Sequence, residues 1–410
     1  MKKLIIAAVI AAGMAVSAHA EVKKIIFFPS SSSIETRHQY INKVGGTVIK
    51  DLEIIDSVLA SFTDEKGAEL HKAIKSGKAA PASDIQDDTV RNWLLETSLP
   101  QLPSLAEVMK QFRSGEAAER LPVMVASEEA AEAAEARAAQ SETPWGIVRV
   151  NAPGAWANGN MGNNVAVAVV DTGIDLTHAD LAANIAGNYN AIDSAATGQD
   201  DNGHGTHVAG TIAAVKDGKG VAGVAPKAKL YAVKVLSAQG SGSSSAIVDG
   251  IGWAVKQKVS VINMSLGSPQ NDAAIAAAVK NAVKAGVTVV CAAGNDSGDV
   301  NYPAANPDAI AISASDSADK ITSFSSRGPE IDFIAPGGRI YSTFKGGGYR
   351  TLDGTSMASP HVAGLAALAV SAGAKTPAQV RKMLNGAAVP ISTLTDEQQG
   401  AGLINAASIK

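Results

Sequence analysis

The sequence predicts an α/β protein in which a three-layer domain on a mostly parallel sheet follows a small α+β domain. Two observations carry this. From "TPWGIVRVNAPGAW" (143–156) onward, short apolar runs alternate with helical windows of ten to fifteen residues. The runs "NVAVAVVD" (164–171), "LYAVKVL" (230–236), "VSVINM" (259–264) and "VTVVCAAGN" (287–295) are near-continuously apolar, as strands become when both sheet faces are covered. Between them, "SSAIVDGIGWAVKQK" (244–258) and "DAAIAAAVKNAVKAG" (272–286) read as helices, so the order is a βαβ succession. Upstream, strand-like runs at Lys24–Phe28, Val48–Ile55 and Ser57–Phe62 precede a helix start at Thr63, Asp64 and Glu65, with Leu70 and Ile74 on its inner face. This small domain is assigned to residues 21–78.

The ends and joints have their own textures. Residues 1–20, "MKKLIIAAVIAAGMAVSAHA", carry a Lys-Lys start, a short apolar middle and small residues at Ala18 and Ala20, the pattern of a secretory signal rather than a stable membrane anchor. The expected location is therefore extracellular or periplasmic. Residues 79–138 form a tail and linker, with prolines at 81, 100 and 103, a helix expected around Leu105–Phe112, and the charged low-complexity run "ASEEAAEAAEARAAQSE" (126–142). The main domain is assigned to 139–410. A formal charge of -4 without a basic run excludes the electrostatic footprint of nucleic-acid binding. Cys291 is the single cysteine, so no internal disulfide stabilises an exported chain and bound metal is a candidate stabiliser.

Chemistry in such folds collects at the carboxyl ends of strands. Asp171 ends "VAVAVVDTGID", His204 sits among glycines in "DNGHGTHVAGTIAA", and Ser356 lies at a helix start in "GTSMASPHVAG". Singly, a turn aspartate, a core or capping histidine and an N-cap serine are the commoner readings. Together they supply what a weak nucleophile needs: a base for the hydroxyl proton and a carboxylate to orient the imidazole.

The segments "VVDTGID", "HGTHVAGT" and "GTSMASPHVAG" resemble the three signatures of the subtilisin-like serine proteases, over about Pro144 to Ala407. The order Asp, His, Ser is also that of subtilisin. Gly354, Ser356 and Ala358 approximate the nucleophile elbow of α/β-hydrolases, but an acid and then a histidine would have to follow the serine. Here only His361 follows, with Asp396 beyond it.

The resemblance implies a subtilisin-like fold and a serine endopeptidase. Ser356 would be the nucleophile, His204 the general base and then acid, Asp171 its orienter, and Asn295 of "CAAGND" the oxyanion donor, while His207 faces the helix interior without a catalytic role. Gly240, Ser241 and Gly242 on one side, and Ser265, Leu266 and Gly267 on the other, resemble the two edges between which substrate is added as a strand. Such binding reads main chain and tolerates many sequences. Ala292, Ala293 and Gly294 would line the first specificity pocket, with Asn301 where some relatives place glycine. Calcium is implied at Gln140, Asp180 and Asp217 with the carbonyls of Val215, Lys219 and Val221, an all-oxygen set that suits this ion. The small domain resembles the family's propeptide, which assists folding, occupies the cleft and is removed by the enzyme; the cut is expected between Arg137 and Glu142. The expected protein is a monomer acting on proteins or peptides. A catalytically silent binding protein and an esterase or acyl transferase using the same triad are the competing functional classes.

Overall fold

The computed structural model describes residues 21–94 and 142–409. The signal segment, the helix expected at 105–112, all but the last residue of the 126–142 run, and Gln140 lie outside them. The chain divides into two compact units, one of residues 21–51 and 56–87, the other of 52–55 and everything described from Asp88 onward.

In the first unit the strands β1 (Glu21–Phe27), β2 (Thr47–Leu52), β3 (Ser57–Thr63) and β4 (Asp84–Asp87) form one sheet in the order β2-β3-β1-β4. Both neighbours of β1 run antiparallel to it. Helix α1 (Ile34–Lys43) begins where Ser33 Oγ accepts the Thr36 N–H, and α2 (Asp64–Lys75) begins at Thr63, whose hydroxyl accepts the Lys66 N–H. Each cap satisfies a donor that the first turn leaves unpaired. Ile26, Ile41, Val58, Phe62, Leu70, Ile74 and Ile85 close the core. Two expectations are corrected. The run Val48–Ile55 leaves the strand at Leu52 and continues as a 3₁₀ turn, Glu53–Ile55. The unit also extends past Lys78 to Asp87, because β4 adds a fourth strand; in its sequence DIQD only Ile85 is apolar and buried, too little periodicity to read as a strand.

The second unit holds a nine-stranded sheet of β6 (Ala166–Asp171), β7 (Ile185–Asn190), β8 (Lys229–Lys234), β10 (Val261–Met264), β11 (Thr288–Ala292), β12 (Ile310–Ser315), β13 (Ile331–Pro336), β14 (Ala388–Val389) and β15 (Leu403–Ile404). Their order is β14-β15-β13-β12-β11-β10-β6-β8-β7, and only β14 and β15 pair antiparallel. Helices α3 (His204–Ala213) and α6 (Thr355–Ser371) share one core cluster with Val167 and Val169 of β6. Strand alternation turns Ala168 and Val170 to the other face, where α4 (Ser244–Lys256) packs on α5 (Ala273–Lys284). That is the three-layer arrangement, and it explains the unbroken apolar strands. Helix α6 is buried from Thr355 through Ala369, so its sequence is apolar on every side. The direction of sheet growth reverses between β10 and β6, and ligands in open α/β sheets bind at the carboxyl ends beside such a switch. Asp171 ends β6 there, Ser265 follows β10, and Asn295 follows β11.

Candidate active site

Asp171 is fully buried. Its Oδ1 accepts the Thr172 N–H at 2.7 Å and meets His204 Nδ1 at 2.8 Å. His204 opens α3, and the approach of that helix to the strand end is tight. A Cβ on Gly205 would lie 2.1 Å from the Gly173 carbonyl oxygen and 3.2 Å from Asp171 Oδ1, so only glycine fits beside the pair. Burial alone pulls the His204 imidazole toward neutrality. The Asp171 charge, its hydrogen bond and then the Asp200 charge outweigh burial and leave the pKa raised above its ordinary value. His207, one turn on, is buried as expected, with Nε2 against the Ile340 and Arg350 carbonyl oxygens at 2.9 and 3.0 Å. Burial, then repulsion from His204, lowers its pKa to about 3.

Ser356 is the second residue of α6 and 1% exposed. It does not cap the helix: the N-cap is Gly354, which has no side chain to do so. Its hydroxyl donates to the Ser265 carbonyl at 3.1 Å, while His204 Nε2 is buried and has no hydrogen-bond partner among the described residues. The Asp–His half of the expected constellation is thus joined, and the Ser–His hydrogen bond is not made in this state of the chain. Pro360 lies inside α6 and has no N–H to give the carbonyl four residues back, which is that of Ser356. Ser265 Oγ takes over, donating to this carbonyl at 2.8 Å. Because that uses its only proton, the contact to Ser359 Oγ at 2.8 Å must be donated by Ser359, and Asn263 Nδ2 donates to Ser265 Oγ at 2.9 Å. The Ser265 side chain therefore anchors the nucleophile's turn, and its carbonyl faces the hydroxyl.

The Asn295 side-chain oxygen accepts both the N–H and the hydroxyl of Thr355, at 2.9 and 2.8 Å. Two donors on one side of the carboxamide fix which end is oxygen. Its Nδ2 lies 3.1 Å, and the Ser356 backbone nitrogen 3.5 Å, from the point where Gly354 would carry a Cβ. Two donors thus flank a space that exists because residue 354 has no side chain.

Ala292 ends β11, and Ala293 and Gly294 follow it; all three are buried. Asn301 is brought to them: its N–H donates to the Ala293 carbonyl at 2.7 Å, and its Nδ2 is 2.6 Å from where a Gly294 Cβ would stand. The two expected edges are already bridged by the chain itself. Strand β5 (Val90–Asn92) pairs antiparallel with β9 (Ser241–Ser243), with Arg91 opposite Gly242. Trp93 donates its N–H to Gly240 and its indole N–H to Gly242, at 3.0 and 2.9 Å, and its carbonyl accepts the Gly267 N–H at 2.9 Å. Leu94 bridges to Leu266. Residues 90–94 lie between Gly240–Ser243 and Leu266–Gly267 as a strand. In the sequence this stretch falls within the 79–138 tail and linker; of its residues only Val90, Trp93 and Leu94 are apolar, without the alternation that marks a strand. Thr355, which orients Asn295, was equally invisible because its partner is sixty residues away.

Asp180 is buried, and its Oδ2 accepts the Val221 N–H and the Tyr349 hydroxyl, at 2.8 and 3.0 Å. The Val215 N–H reaches the Asp180 carbonyl at 2.8 Å, so the 215–221 loop folds over this carboxylate. Asp217 is exposed and accepts the Lys219 N–H, and Glu142 accepts the Gly218 N–H. Among the described residues no three His, Cys, Asp or Glu side chains group as a metal site. What Asp180, Asp217 and the peptide carbonyls of the 215–221 loop offer is oxygen alone, the ligand type a hard cation takes.

No helix among the described residues is long and apolar enough to cross a membrane. The model of the subtilase family matches residues 162–402. The chain is 48% identical to Subtilisin Savinase of Lederbergia lenta over 268 residues, 64% of this chain and 97% of that protein. It is 47% identical to Subtilisin E of Bacillus subtilis (strain 168) over 269 residues, covering 64% and 70%. An alkaline protease of Alkalihalobacillus alcalophilus is 47% identical over 280 residues, covering 67% and 72%. With the three motifs, the parallel sheet and these relatives in agreement, the chain belongs to the subtilase family of serine endopeptidases.

Proposed function

We propose that the chain hydrolyses peptide bonds of proteins through Ser356, His204 and Asp171, and that it is made as a secreted, self-processed zymogen. The observation that carries this is the 2.8 Å contact between His204 Nδ1 and Asp171 Oδ1, which leaves Nε2, the atom a serine proton needs, without another partner. The reading requires two rearrangements: rotation of the Ser356 side chain away from the Ser265 carbonyl, and departure of residues 90–94 from the two edges they occupy.

Ser356 Oγ then attacks the scissile carbonyl as its proton passes to His204 Nε2, and Asp171 stabilises the imidazolium. The oxyanion is met by the Asn295 amide and the Ser356 N–H beside Gly354. Collapse breaks the C–N bond, and His204 returns the proton to the leaving amine. Water, deprotonated by the same imidazole, attacks the acyl ester, releases the acid product and restores the hydroxyl. The Ser265 carbonyl, free of Ser356, becomes an acceptor for substrate main chain.

Residues 90–94 support both a strand-type substrate and self-occlusion, since they occupy the edges through backbone bonds that any peptide could make. Small-domain removal by the enzyme, with the cut between Arg137 and Glu142, follows from this reading, and the 1–20 segment would direct export. Asn301 beside Gly294 would narrow the first specificity pocket. Asp180 and Asp217, with the Val215, Lys219 and Val221 carbonyls and Gln140, would hold a structural calcium ion. That ion would brace the loop and take no part in the chemistry.

Assay of the wild-type chain and Ser356→Ala on casein tests the activity. The expected result is cleavage by the wild type alone, with the variant keeping residues 21–138; equal cleavage by both would overturn the assignment of the nucleophile.

A further inference from the structure

Asp200, in the loop before α3, is 4% exposed, and five neutral donors converge on it. Its Oδ1 accepts the Thr172 hydroxyl and the N–H groups of Asn202 and Gly203, each at 2.9 Å. Its Oδ2 accepts the Thr206 N–H at 3.0 Å and the Thr206 hydroxyl at 2.6 Å. Thr172 directly follows Asp171, and its Oγ1 also accepts the Gly205 N–H at 2.9 Å. One carboxylate therefore ties the strand end that carries Asp171 to residues on both sides of His204.

We propose that Asp200 is a positioning residue for proton transfer: a second buried carboxylate that locks the His204 turn against the Asp171 strand end and adds a fixed negative charge beside the imidazole. A helix cap alone would not need this. A neutral serine or asparagine caps a helix about as well, and a buried carboxylate is costly to desolvate. Here the donors are all neutral, so the charge is solvated by dipoles and remains to act on its surroundings. In the transition state the imidazole becomes a cation, and a preorganised anion in a water-poor site stabilises it.

Among the described residues, few titratable groups act on His204. Asp171 faces it from β6, Asp200 from the preceding loop, and His207 from its own helix. Lys234 of β8 is engaged elsewhere, donating to the Thr172 and Leu236 carbonyls and to Asp201 Oδ1 at 2.8, 2.8 and 2.6 Å. Lys345 donates to the Asp201 carbonyl, and the Asp175 carboxylate accepts from Gly346 and Gly347. The Asp200 charge acts on His204 in the same direction as that of Asp171.

The inference rests on His204 as the proton carrier, which phosphonofluoridate labelling of the wild type at Ser356 judges separately. Asp200 is tested in the whole chain carrying Ser356→Ala, with isotope-labelled histidine and His204 assigned by NMR. Asp200→Asn should lower the His204 titration midpoint by roughly 1 unit, and Asp200→Glu should restore most of it, while His207 stays neutral as the control for folding. An unmoved midpoint in the folded variant overturns the proposal. Should Asp200→Asn not fold, Thr172→Val cuts the tie but keeps the carboxylate. It should shift or broaden the His204 Nδ1–H resonance, and an unchanged resonance overturns the proposal equally.

Discussion

Gly354 separates two demands that look alike in a sequence. Its φ of 151° and ψ of 158° lie where side-chain-bearing residues rarely go, and its absent Cβ leaves room between the Asn295 amide and the Ser356 N–H. On the proposed mechanism, a methyl there would crowd the two donors that meet the oxyanion. Gly354→Ala is therefore expected to lower kcat roughly 100-fold, the scale of losing one oxyanion donor, with a much smaller change in KM; steady-state kinetics on one peptide substrate checks it. Asp171, His204 and Ser356 were legible because each ends a recognisable pattern, a strand, a glycine turn and a helix start. The side-chain roles of Thr355, Ser265 and Asp200 were not. Their roles depend on partners sixty, ninety-one and twenty-eight residues away, distances over which side-chain identity carries no periodic signal.

Helix α6 begins with a flaw that the fold repairs. Pro360 withholds a donor from Ser356, and the residue after β10 supplies a hydroxyl in its place, so the nucleophile's turn is held by another element rather than by its own helix. Ser265→Ala should strand the Ser356 carbonyl and the Asn263 amide in a buried site. The expected loss is about 1–3 kcal/mol, read as a lower urea midpoint in a Ser356→Ala background. The 215–221 loop makes an analogous case at its own position. If calcium braces it over Asp180, thorough chelation lowers the melting temperature by several degrees, and Asp180→Asn lowers it while abolishing the response to added calcium. A melting temperature indifferent to chelation would exclude the ion. The parallel strands were readable because burial on both faces makes them continuously apolar. Strand β4 and residues 90–94 were not, since each borrows its order from a neighbouring edge rather than from its own pattern.

For the molecule as a whole, the buried histidines set the acid limit. His207 and His361 are held neutral by burial, at about 3 and about 4, whereas unfolded histidines titrate near 6.5. Between these values the unfolded chain binds the extra protons, so their stabilisation is complete above about pH 6.5 and is lost as pH falls toward 4 and then 3. His204, with its pKa raised, works oppositely: its contribution is present below the ordinary value and fades as pH rises through the folded one. His361→Gln should flatten the stability profile of the Ser356→Ala chain by up to about 1.4 kcal/mol per pH unit between roughly pH 6 and 4, measured by urea unfolding; an unaltered slope would contradict the assignment. The change of texture near residue 143 does not coincide with the division between the two compact units, which falls after Asp87, where a polar edge strand gives no periodic signal. All of this serves one claim, that an alcohol at position 356 becomes a nucleophile because a base at 204 can take its proton. Mass-spectrometric location of a phosphonofluoridate adduct tests it most directly: the account predicts a single adduct on Ser356 that disappears in His204→Ala, and labelling that is absent, lies elsewhere or survives that substitution at the same rate would contradict it.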